Sequence, residues 1–172
     1  MLIAEEEAVN AAWGNVETSY QRRADLIPNL VNTVKGAAAF ETETFETVTS
    51  ARARATSIHL SPDQLADPGQ FRIFQEAQAG LGSALGRLLV VSENYPELRA
   101  TEAFRDLQAQ LEGTENRINV ARTRYNDAVR SYNTRQRSFP AVLFASIFGH
   151  SRRLSFEAQK GAEDAPTVDF SS

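Results

Sequence analysis

The chain of 172 residues has no cysteine, which excludes disulfide frameworks, thiolate metal sites and cysteine nucleophiles. It has two histidines, and neither sits in a metal pattern. Helical bundles hold di-metal centres with Glu-x-x-His pairs, whereas His59 and His150 have Thr56 and Ile147 three residues before them. No metal or other cofactor is therefore expected. No apolar run approaches the roughly 18 residues of a membrane span. The opening "MLIAEEE" turns acidic at once, unlike a secretory signal, so the chain itself reads as soluble. There is no Walker motif, no GxSxG elbow and no Ser/His/Asp grouping. "GLGSALG" (80–86) spaces its glycines as GxGxxxG inside a helical pattern, not as a phosphate loop between strand and helix. Gly82 and Gly86 read instead as points of close helix approach. These absences predict a protein that is not an enzyme.

Net charge is small in total and uneven in place. The net charge is −4 with a pI near 5.3, which argues against a nucleic-acid partner. Residues 1–113 carry 9 basic and 16 acidic side chains. Residues 114–153 carry 8 arginines against Glu115 and Asp127 alone. One basic block thus lies on an acidic protein.

What is present is helical periodicity. Val9, Trp13, Val16 and Tyr20, then Ile27, Val31 and Val34, share one helix face. A helix from Leu2 to Ser57 would span roughly 80 Å at 1.5 Å per residue, so the chain must turn within it. Residues 24–28 are the expected turn, with Asp25 as N-cap and Pro28 in a first turn. Lys35-Gly36, read as a helix end with left-handed glycine, is the other place. In "SPDQLADPGQF", Ser61 and Asp67 each precede a proline and stand three residues before a glutamine, a helix-start pattern. A third helix is expected to about Asn94. A fourth, beginning near Pro96 or Thr101, is expected to about Ser138, striped by Phe104, Leu107, Leu111, Ile118, Tyr125, Val129 and Tyr132. The fold class is all-α, most simply an antiparallel four-helix bundle, with a short C-terminal helix and an extended tail over 150–172.

Two groups of side chains stand out beside this apolar framework. Arg22, Arg23, Asp25, Asn29, Asn116, Arg122, Asn126 and Asn133 lie close to core positions. They form either a paired internal network that fixes helix register or an interaction site. Phe139, Leu143, Phe144 and Phe148, flanked by Arg152 and Arg153, combine bulky apolar and basic residues. That combination suits the surface of an anionic membrane.

The motifs "QRRADLIPNLV", "TVKG", "ENYPELRA", "EGTENRI", "RYNDAVRSYN", "SFP", "FEA" and the closing "AP-x-V-x-F" resemble those of the LemA family of bacterial proteins, from about Glu7 to Phe170. The resemblance implies a single bromodomain-like four-helix domain over 1–172, with no catalytic residues to carry over. It also implies an N-terminal transmembrane or lipid anchor, which is missing before Met1. Where the family tends to have G-Y-A-x-H-E, this chain has Gly36, Ala37 and then Phe40-Glu41, so no role of that histidine transfers. The combined expectation is a non-enzymatic interaction or scaffolding module, tethered to a membrane of the bacterial envelope and serving an unidentified protein partner. The alternative is a small-ligand-binding bundle with a pocket at one helix end.

Overall fold

The structure, a computed structural model, describes residues 2–138 and 149–157. These residues form five α-helices and no strand: α1 (Leu2–Ala37), α2 (Thr42–Ser57), α3 (Pro68–Ser92), α4 (Pro96–Ala100) and α5 (Glu102–Arg137). A 3-10 turn over Pro62–Ala66 leads into α3. The expected short C-terminal helix falls largely outside the described residues.

Helix α1 does not turn at residues 24–28 but continues through Pro28 to Ala37. The reason lies in the stripe itself. Its buried positions run Val9, Trp13, Val16, Tyr20, Arg23, Ile27, Leu30 and Val34, alternating steps of four and three without a break. Arg23 occupies a core position, so the apparent gap before Pro28 is a charged residue on the buried face. The chain reverses at residues 38–41, where the buried Ala38 donates its N–H to Val34 O at 2.9 Å. Gly36 is helical and not left-handed, since the sole positive φ among the described residues belongs to Gly149.

Proline costs a helix interior an N–H donor to the carbonyl four residues earlier. Here that carbonyl, Ala24 O, accepts from Arg52 Nε of α2 at 2.8 Å. The neighbouring helix thus supplies the bond that Pro28 withholds.

The later helix starts follow their caps. Asp67 Oδ1 accepts from the N–H groups of Gly69 and Gln70 at 2.8 and 3.1 Å. Gln64 Oε1 accepts from Ser61 N–H at 2.8 Å. Both expected starts of the last helix exist, because the extended Thr101 separates α4 from α5 and caps the latter through Phe104 N–H. Glu5 meets Arg135, Trp13 meets Tyr125 and Arg23 meets Glu115. Helices α1 and α5, each 36 residues and roughly 54 Å long, therefore run in opposite directions.

The core divides in two. One cluster is aromatic, with Trp13, Phe71, Phe74, Tyr125 and Phe156 at ring separations of 5.1 to 6.4 Å. The other is mainly aliphatic, centred on Ile27, Leu30, Val34, Leu81, Leu85 and Leu88. Arg23 and Gln78 lie between them.

Candidate functional site

The layer between the two clusters is polar. Arg23, only 4% exposed, donates from Nη2 to Gln78 O at 2.9 Å and to Gln78 Oε1 at 2.8 Å. Its Nη1 reaches Glu115 Oε1 at 3.2 Å, and its guanidinium lies over the Tyr20 ring at 5.1 Å. Gln78 Nε2 in turn donates to Ala55 O at 3.4 Å. This waist ties α1, α2, α3 and α5 together through a single arginine. A Cβ on Gly82 would sit 3.6 Å from Arg23 Nη1, an ordinary contact, and one on Gly86 would meet nothing within 4 Å. Neither glycine marks a tight helix approach.

A cleft opens on each side of the waist. One, of about 670 Å³, lies where the end of α2 meets α1 and α3, and is lined by Glu17, Arg22, Asp25, Thr56, His59 and Gln78 among others. Burial pushes the Glu17 carboxyl above its ordinary range, against the opposing influence of His59. The other, of about 480 Å³, is lined by Tyr20, Arg23, Gln78, Glu115, Arg122 and Phe156 among others. Charged side chains of both signs and neutral hydrogen-bonding groups line the two clefts.

The polar residues of α5 do something different. Residues 149–157 lie as an extended strap along α5, running opposite to it. Asn133 Nδ2 donates to Arg153 O at 2.9 Å while its Oδ1 accepts from Arg153 N–H at 3.0 Å. Asn126 holds Phe156 in the same reciprocal way, at 3.0 and 2.8 Å. Seven residues of helix and three of extended chain both cover roughly 10 Å, so the two asparagines match the repeat of the strap. Tyr125 OH donates to Leu154 O at 2.8 Å, and Arg122 lies 4.7 Å over the Phe156 ring.

The eight polar positions read from the sequence therefore do not form one cluster. Arg23 is buried at the waist; Arg122, Asn126 and Asn133 are half-buried against the strap; Arg22, Asp25, Asn29 and Asn116 are exposed. Asp25 is no N-cap, and accepts from Gln21 Nε2 at 2.7 Å within α1. Arg153, expected at an exposed surface, is buried. It is 5% exposed and bonds Glu6 Oε1 at 2.7 Å, while His150 Nδ1 approaches Glu6 Oε2 at 3.3 Å. Arg152 is exposed. Phe139, Leu143, Phe144 and Phe148 lie outside the described residues. Gln78, Glu115, Arg52 and Glu6 complete these arrangements and were not singled out from the sequence. Glu115 stands inside "EGTENRI", whereas Arg52, Gln78 and Glu6 carry no local signal.

The family model described as "LemA family" matches residues 12–170. The chain is 30% identical over 178 residues to magnetosome proteins MamQ 1 and MamQ 2 of Paramagnetospirillum magneticum. It is 28% identical to magnetosome protein MamQ of Magnetospirillum gryphiswaldense. Each match covers 94% of this chain and 65% of the relative, so the chain spans just under two thirds of their length.

Proposed function

We propose, for a chain that belongs to the LemA family, a non-enzymatic role as a helical interaction and scaffolding module tethered to a membrane of the bacterial envelope. Its architecture reads as an antiparallel up-and-down four-helix bundle, with α4 as the lead-in to α5, in a single domain. The observation that carries the proposal is the waist. The buried Arg23 spends its terminal nitrogens on Gln78 and Glu115, which serves rigidity and not turnover. The relatives are named for a cellular structure, the magnetosome, and not for a reaction, which supports a structural part. The tether would be a segment other than the helices described here, since none of those is long and apolar enough to cross a membrane.

A second reading, small-ligand binding, is favoured by the 670 Å³ cleft at the end of α2. One experiment separates the two. Photo-cross-linkers at the exposed Phe40 and Val90 of the membrane-held protein should trap a discrete protein neighbour. The yield should be unchanged by Glu17→Ala and His59→Ala. A yield that collapses in correctly folded cleft variants transfers the function to the cleft. Absence of any discrete cross-link from exposed positions sinks the scaffold.

A further inference from the structure

We propose that the end of α5 and the strap build a binding site for a phosphate-type anion on Arg130, Arg137 and Arg152. These three side chains line one cleft of about 500 Å³ together with Asn133, Thr134 and Ser138, and none of the described residues lining it is acidic. Arg130, Thr134 and Arg137 share one face of α5 by their spacing of four and three. Arg152 comes from the strap. Asn133 grips the N–H and carbonyl of Arg153 at 3.0 and 2.9 Å, with the Arg153 side chain turned inward to Glu6. Arg152, the residue before Arg153, is exposed, and its side chain lines the cleft.

The arginines at this end divide by partner. Arg135 is paired with Glu5 and Arg153 with Glu6, both on α1. Arg130 has a partner in Asp127 at 3.4 Å, on an exposed face. Among the described residues, Arg137 and Arg152 have no acidic partner. Cations near a helix C-terminus offset its dipole, which accounts for Arg135 and Arg137 but not for Arg130, a full two turns earlier, or for Arg152 on another segment. One guanidinium suffices for a carboxylate. Three converging on one cleft, each a planar fork of donors, match the several oxygens and higher charge of a phosphate group. The ligand chemistry is common to two sources, the phosphate of an anionic lipid headgroup and free phosphate. The proposal goes beyond the scaffolding reading and does not rest on it.

The test uses the full chain and two triple variants. Arg130→Gln, Arg137→Gln and Arg152→Gln are combined in one. The other combines Arg105→Gln, Arg117→Gln and Arg124→Gln, which removes the same charge from exposed positions elsewhere on α5. All three proteins should melt alike. Co-sedimentation with phosphatidylglycerol and with phosphatidylcholine vesicles, and titration with inorganic phosphate followed by amide chemical shifts, provide the readouts. A loss of at least tenfold in affinity for phosphatidylglycerol vesicles in the first variant alone identifies the headgroup source. Shifts at Thr134 and Arg152 with inorganic phosphate but no vesicle binding identify the free anion. Equal losses in both variants reduce the effect to overall charge and overturn the site, as does the absence of response to either probe.

Discussion

At the scale of the residue, one turn of α1 decides what a charge does. Arg22 and Arg23 are chemically identical neighbours, and a helix rotates by about 100° between them, so one is exposed and the other is 4% exposed. The sequence shows that this stretch is polar and near the core. It does not show which residue points inward, because that requires accepting arginine as a member of the apolar stripe. With Arg23 removed, the Gln78 amide oxygen loses its donor and the Gln78 carbonyl keeps only its helical one, while Glu115, half-exposed, can resolvate. Arg23→Ala should therefore cost roughly 1–3 kcal/mol. Arg22→Ala and Asn29→Ala, both exposed, should stay within about 0.5 kcal/mol. Urea unfolding of the three variants checks this, and equal costs at positions 22 and 23 would refute the assignment of the waist.

At the scale of the element, the helix boundaries that rest on caps were legible. Asp67, Thr101 and the Ser61–Gln64 pair satisfy backbone groups within three residues, so their partners are local. The boundary that was misread depends on a distant partner. Pro28 marks a break by local rules, whereas the buried stripe continues through it and Arg52 of α2 supplies Ala24 O with the donor that proline lacks. This makes the two positions energetically coupled. Arg52→Ala should cost about 1–2 kcal/mol in the natural sequence, since it orphans Ala24 O. In a Pro28→Ala background, where residue 28 regains its own N–H, the same change should cost close to nothing. Pro28→Ala alone should stabilise α1, because proline is a far poorer interior residue than alanine. A double-mutant cycle measures the coupling, and additivity would mean that Arg52 does not stand in for the missing donor. The strap is an element of the same kind. Its docking on Asn126 and Asn133 links positions 20 to 30 residues apart, so the asparagines were visible but their purpose was not. Asn133→Ala should accelerate amide exchange at Arg153 and leave the aliphatic cluster around Leu85 protected, a difference that hydrogen-exchange measurements resolve.

At the scale of the whole molecule, the all-helical class was legible because heptad spacing repeats over 36-residue helices, and no local exception can hide it. The division of the core was not legible. It arises from residues of α1, α3, α5 and the strap meeting in space, with Phe156 carried into a ring cluster from a segment without regular structure. That cluster has a consequence for alkaline stability. Burial pushes the phenols of Tyr20, Tyr125 and Tyr132 above their ordinary value of 10.0, and Tyr125 must keep its proton to donate to Leu154 O. A group whose pKa is raised by folding holds its proton in the native state after the unfolded chain has released it. Native stability is therefore intact below pH 10 and falls as pH rises above it, by up to about 1.4 kcal/mol per pH unit for each such phenol. Three buried phenols acting together should make the loss cooperative. On titration upward from pH 9, helical circular dichroism and the phenolate absorbance of these three tyrosines, read in a Tyr95→Phe background, should change in one coincident transition above pH 10. Phenolate absorbance that develops for these tyrosines near pH 10 while the helices persist would mean that the aromatic half of the core admits solvent without unfolding.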